Sequence, residues 1–192
     1  MKIIAFGDSL TVGYQSPSAD NPHGESTPYG RFLQERLGPR AEIIVSGVNG
    51  ELTGEMAMRL GTDVLAARPD YVVILGGAND IGWGAQPSAI MRNLLTMYER
   101  CRGAGIRPVA VTVPSIRGAD AFIPPRLALN QLILDYCGRT TLPAVDLFAA
   151  TVEPETQRLA ARYSNDGLHL TTAGYRALAE RLYDDLFHAL LA

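Results

Sequence analysis

The chain has 192 residues, 47% of them hydrophobic and 19% charged, with a formal net charge of −3. Those values exclude a disordered polar chain and predict one globular domain, residues 1–192, with a sizeable core. The absence of a basic cluster argues against nucleic acid as the main partner, and no apolar run reaches the ~20 residues of a membrane span.

An apolar run at residues 3–6 has strand character and stops at Gly7-Asp8, where Ser9 sits at the turn. Met1-Lys2 leads straight into this strand. That start reads as lacking a secretory leader, so a cytoplasmic location is expected. A polar loop follows at residues 15–28 and contains His23 and Glu25. It reads as a solvated surface loop that edges or covers whatever Ser9 does. Residues 29–37 read as a short helix ended by Gly38-Pro39.

Residues 41–45 form the second predicted strand, which empties into a turn holding Gly47 and Gly50. Met56, Leu60 and Val64 recur at steps of four and predict a helix over 53–67. The third strand, 71–75, ends in Gly76-Gly77-Ala78-Asn79-Asp80. A helix is predicted over 87–102, where Pro87 suits the first turn. A fourth strand over 109–113, a helix over 126–137, a fifth strand over 144–148 and an amphipathic helix over 172–190 complete the chain. Cys101 and Cys137 both fall in helical stretches and read as reduced core thiols.

Strand and helix patterns alternate five times, which predicts a parallel sheet with helices on both faces. The expected fold is α/β: a three-layer α/β/α sandwich on a five-stranded, flavodoxin-like sheet of order 2-1-3-4-5. In such a sheet the carboxyl ends of the strands share one edge, where ligands bind. Ser9, Gly50 and Asn79 each follow a strand and can meet there. Asp166 and His169, in Ser164-Asn165-Asp166-Gly167-Leu168-His169, immediately precede the last helix and belong on the same edge.

These residues form an inventory for acyl transfer. A serine hydroxyl needs a base to take its proton. The chain has three histidines, His23, His169 and His188. His169 has a carboxylate three residues before it, across a glycine, so Asp166 can reach its Nδ1 and fix the tautomer. His188 reads as a surface or packing residue of the last helix. Gly50 can bring a bare N–H to an oxyanion, with the Asn79 amide and the Ser9 N–H as further donors. Each such donor is worth roughly 3 kcal/mol in the transition state. Singly, each point has a plainer explanation: Ser9 as a helix cap, the glycines and Asn79-Asp80 as turn formers. The joint placement outweighs those explanations.

The same residues carry a family likeness. Phe6-Gly7-Asp8-Ser9-Leu10-Thr11, Gly50-Glu51-Leu52-Thr53, Gly77-Ala78-Asn79-Asp80 and Asp166-Gly167-Leu168-His169 resemble, in order, the four motifs of the SGNH hydrolases, also called GDSL esterases and lipases. The resemblance implies hydrolysis of carboxylic esters or thioesters through an acyl-serine, with Ser9, Asp166 and His169 as triad. It implies Ser9, Gly50 and Asn79 as oxyanion hole, no metal or organic cofactor, and a small-molecule ester as partner. Gly50 is preferred to Gly47 because an acidic residue and Thr53 follow it. Asp8 and Asp80 look structural in this pattern.

Competing readings are a carbohydrate O-deacetylase on the same fold, a family relative that has lost activity, and a flavodoxin-like module that binds a nucleotide or flavin. Against the binding module, no P-loop or GxGxxG follows the first strand. Asp8 and Asp80 would also serve a two-carboxylate glycosidase, yet their neighbours resemble turn-building positions more.

Overall fold

The computed structural model describes residues 1–19 and 21–190. The chain enters through β1 (Lys2–Gly7), makes one turn of helix, α1 (Ser9–Val12), and forms a small hairpin from β2 (Tyr14–Gln15) and β3 (Glu25–Ser26). Helix α2 (Tyr29–Leu37) leads to β4 (Glu42–Gly47), and α3 (Thr53–Leu60) to β5 (Tyr71–Leu75). Then come α4 (Ala78–Gly82), α5 (Pro87–Gly103), β6 (Arg107–Val111), α6 (Ile123–Thr140), β7 (Ala144–Val145), α7 (Leu147–Thr151) and α8 (Thr172–Leu182).

The main sheet is parallel, in the order β4-β1-β5-β6-β7. This is the expected 2-1-3-4-5. Helices α2 and α8 pack together on one face, and α3, α5 and α6 pack in series on the other. Strands β1 and β5 are buried almost throughout, which is why they read as continuous apolar runs rather than alternating ones. Tyr98, Met56, Leu60 and Leu94 fill one side of the sheet, and Tyr29, Leu33, Tyr175 and Leu178 the other; all are buried.

Several boundaries differ from the sequence reading. The fifth strand stops at Val145 instead of 148, because Asp146 caps α7 and accepts from Ala149 N–H at 3.0 Å. The fourth strand lies two residues earlier than expected, since Arg107 pairs with Tyr71 at the start of the neighbouring strand. The helix after the second strand turns π-helical over Gly61–Leu65, and the last helix does so over Tyr183–Phe187. Helix α6 begins earlier than 126 because Pro124 and Pro125 occupy its first turn, where a missing N–H costs nothing.

Candidate active site

Strand β1 delivers the chain to Asp8, whose Oδ1 accepts from Leu10 N–H at 2.9 Å and so caps α1. Ser9 is therefore the first residue of a one-turn helix that Gly13 ends with a left-handed φ of 79°. Ser9 is 6% exposed. It lines a cavity of about 290 Å³ together with Tyr14, Asn49, Gly50, Asn79, Leu168 and His169. Its hydroxyl makes no hydrogen bond with any described residue, so it is free to meet a ligand.

The β4–α3 turn brings Gly50 to this cavity in a left-handed conformation, φ 76°, with open space where a Cβ would be. Gly47 is elsewhere: it ends β4 and packs on α1, where a Cβ would fall 2.7 Å from Val12 N. Asn79 stands on α4, directly after β5. Its Nδ2 donates to the Glu51 carbonyl at 3.0 Å and lies a long 3.4 Å from Asp8 Oδ2. One amide hydrogen is thus firmly held and the other weakly engaged. Asp80, the next residue, is committed to α3: it accepts from Thr53 Oγ1 at 2.6 Å and from Thr53 N–H at 3.0 Å.

The turn before α8 holds Asp166 against His169. Asp166 Oδ1 accepts from Leu168 N–H and His169 N–H, both at 2.8 Å, and Oδ2 faces His169 Nδ1 at 2.7 Å. Ser164 Oγ donates to the His169 carbonyl at 2.6 Å and accepts from Gly167 N–H at 2.9 Å. Gly167 has φ 84°, and a Cβ there would lie 2.2 Å from the Arg117 carbonyl oxygen, so this turn admits no side chain. Partial burial pushes the Asp166 carboxyl up. Hydrogen bonds from Ser16, His169 and the Leu168 and His169 backbone outweigh that effect and hold it well below the ordinary carboxylate range. Asp166 is thus a fixed negative charge on Nδ1, which leaves Nε2 as the free ring nitrogen.

Two parts of the site carry no clear signal in the sequence. The first is a strap over the Asp166–His169 turn. The Ser16 hydroxyl donates to Asp166 Oδ2, and Asn165 Nδ2 donates to the Ser16 carbonyl at 2.9 Å. Tyr14 stands edge-on to the His169 ring at 4.7 Å. Gln15 exchanges hydrogen bonds with Thr172 at 3.0 Å, and Tyr175 OH donates to the Tyr14 carbonyl at 2.7 Å. The start of the 15–28 loop therefore braces the Asp166–His169 turn rather than being a free surface loop. Glu25 belongs to the same stitching, accepting from Gln15 Nε2 at 2.9 Å.

The second part is Arg59 on α3. Its guanidinium grips Glu51 at 2.6 Å through both Nε and Nη2, reaches Ser46 Oγ at 2.7 Å and Asp63 at 2.8 Å, and donates to the Gly7 carbonyl at 3.0 Å. One planar cation so ties the end of β1, the end of β4 and the residue after Gly50. Between these ends Asp8 is buried. Desolvation, with Asp80 and Glu51 nearby, pushes its carboxyl up to about 7, against the Leu10 hydrogen bond and the Arg126 charge. A folded value raised above the unfolded 3.8 means stability that is full below about pH 4 and lost as the pH climbs through 7. Asp8→Asn keeps a capping oxygen and cannot ionise. Urea unfolding at a series of pH values should show the variant gaining on the wild type between about pH 4 and 7. A pH-independent difference would mean that Asp8 ionises as freely as in the unfolded chain.

Ser9, Gly50, Asn79 and His169 thus meet at one cavity, with Asp166 behind His169. His23 and His188 are exposed and do not line it, nor do Asp8 and Asp80. Larger cavities exist elsewhere. One of about 420 Å³ lies at the amino-terminal sheet edge around Tyr71 and Arg107, and one of about 460 Å³ lies beside Asp146 and Glu180. Neither contains a histidine or a serine, so neither offers the chemistry above. Among the described residues, no helix is long and apolar enough to cross a membrane, and no group of three or more His, Cys, Asp or Glu side chains is arranged to hold a metal ion.

Residues 5–177 match the model of the GDSL-like lipase/acylhydrolase family. The chain belongs to that family. GDSL relatives agree in sequence and in shape. An arylesterase of Vibrio mimicus is 32% identical over 142 residues, 69% of this chain and 68% of that one. An acetylxylan esterase of Geobacillus stearothermophilus is 26% identical, covering 93% of this chain and 90% of its own. The crystal structure of a lipase/acylhydrolase from Enterococcus faecalis superposes with a TM-score of 0.78 at 26% identity, over 98% of this chain and 96% of that chain. The five-stranded parallel sheet flanked by helices is the GDSL hydrolase fold.

Proposed function

We propose that the protein hydrolyses carboxylic esters of small acyl groups, and thioesters of the same acids, through an acyl-serine intermediate. Convergence on the 290 Å³ cavity carries the proposal: nucleophile, oxyanion donors and an oriented histidine line one space. His169 Nε2 takes the Ser9 hydroxyl proton as Oγ attacks the ester carbonyl carbon. The carbonyl oxygen gains the negative charge, and the N–H groups of Ser9 and Gly50 and the Asn79 amide receive it. The tetrahedral species collapses, and His169 returns the proton to the leaving alcohol or thiol. Water then repeats the sequence on the acyl-serine, His169 taking its proton, and releases the acid. Asp166 keeps its charge throughout and stabilises the imidazolium. No step in this sequence calls for a metal or organic cofactor.

A second reading keeps the chemistry and changes the substrate to a sugar acetate. Its support is the similarity to the acetylxylan esterase over nearly the whole chain. A panel of p-nitrophenyl esters of rising chain length, run beside acetylated xylo-oligosaccharides and acyl-CoA thioesters, separates the two. The ester reading predicts the highest kcat/KM among the shortest p-nitrophenyl esters. Faster release of acetate from the sugars would move the assignment to deacetylation, and no turnover of any substrate would contradict both.

A further inference from the structure

A second cavity, of about 320 Å³, opens beside the first and shares Asn79 and Leu168 with it. Its remaining lining is Ala78, Gly82, Trp83, Ile116, Phe122 and Arg126. The walls are apolar apart from Arg126, which is only 2% exposed. A guanidinium has five N–H donors and no acceptor. Here Nη1 donates to the Pro114 carbonyl at 3.0 Å, and the buried Nε has no partner among the described residues. Burial pushes the Arg126 guanidinium down to about 10, and the Asp8 charge offsets that only in part. Asp8 makes no hydrogen bond to it; its oxygens face Leu10 N–H at 2.9 Å and, weakly, Asn79 at 3.4 Å. A buried cation with an unmet donor is expensive unless something polar arrives.

The position of this cavity says which part of a substrate would fill it. The departing alcohol must lie against His169, which hands it a proton. This cavity lies past Asn79 and does not include His169, so it suits the arm that stays on Ser9 after the alcohol leaves. We propose that Arg126 is a specificity-determining residue for the acyl arm. It favours acyl groups bearing a hydrogen-bond-accepting oxygen beyond the ester carbon over hydrocarbon acyl groups of equal length. The inference rests on the ester-hydrolase reading, since it assigns one arm of that substrate. Apolar walls from Ile116, Phe122 and Leu168 hold the methylene stem, and the Arg126 donors meet the oxygen. Trp83, 83% exposed, stands at the mouth.

Two measurements test it. The first compares kcat/KM for p-nitrophenyl 4-oxopentanoate with p-nitrophenyl pentanoate, and for the 5-oxohexanoate with the hexanoate. A hydrogen bond to a charged donor predicts a preference of about tenfold or more for at least one keto ester. The preference should fall to about unity in Arg126→Met. Each ratio is taken within one protein, so a general loss of activity in the variant cancels. The second needs neither a variant nor turnover. Trp83 is the only tryptophan in the chain, so its fluorescence reports occupancy of this cavity directly. Titration of the wild-type protein with 4-oxopentanamide and 5-oxohexanamide, against pentanamide and hexanamide, should show at least one keto amide binding about tenfold more tightly than its parent. Equal binding of both pairs, or a keto preference that survives in Arg126→Met, overturns the proposal. Failure of the protein to hydrolyse any ester would instead count against the ester reading, and the amide titration would still decide whether Arg126 selects an acceptor oxygen.

Discussion

His169→Ala lowers kcat for a short p-nitrophenyl ester by about 10⁴-fold or more, while His23→Ala keeps most of it. The difference follows from position. His169 lines the Ser9 cavity, and its Nδ1 is held by Asp166 at 2.7 Å. His23 is exposed and away from that cavity. The turn that carries His169 is fixed by Ser164, by the Gly167 approach to Arg117 and by the strap from Tyr14 to Ser16. The ring therefore has little freedom to search for Ser9. Asp166 keeps its negative charge beside the ring, because its hydrogen bonds hold it well below the usual carboxylate value. The check is steady-state kinetics on each variant, with far-UV circular dichroism to establish folding. A folded His169→Ala with wild-type kcat, beside an inactive His23→Ala, would exchange their roles.

The second large effect is at Asn79, proposed above as an oxyanion donor. Asn79→Ala should reduce kcat by about 10²–10³ with little change in KM, as expected when a donor acts only on the developing charge. The held hydrogen of its amide, on the Glu51 carbonyl, fixes the side chain. The other has only the 3.4 Å contact to Asp8 to give up. That arrangement costs little when an oxyanion arrives. If KM rises and kcat survives, Asn79 serves binding or the Glu51 turn instead.

Much of this architecture is readable from the chain because parallel core strands announce themselves. Ile3-Ile4-Ala5-Phe6 and Tyr71-Val72-Val73-Ile74-Leu75 are buried on both faces and cannot be mistaken for a surface pattern. Polar residues that interrupt such runs at their carboxyl ends then mark the functional edge, which is how Ser9, Gly50 and Asn79 stand out. The short last strand is harder to place: two residues suffice at a sheet edge, and Asp146 converts the rest into a helix cap. The supporting groups are hidden for another reason. Ser16 meets Asp166 across 150 positions of sequence, and Gln15 meets Thr172 across 157. Neither residue type carries a periodic or motif signal. Arg59 looks like a polar residue on an amphipathic helix until its partners at Gly7, Ser46 and Glu51 are seen. Arg126 looks like the start of a helix, whereas in three dimensions it is a buried cation at a cavity wall.

The central claim is that the Ser9 hydroxyl is the nucleophile, and covalent labelling tests it most directly. A fluorophosphonate reacts with a serine that an adjacent base has activated, releasing fluoride and leaving a stable phosphonyl ester on its oxygen. The protein should take up one equivalent, and peptide mass mapping should place the adduct on Ser9. Prior reaction should abolish esterase activity, and Ser9→Ala should remain unlabelled. An adduct on another serine, with Ser9 unmodified, would contradict the account.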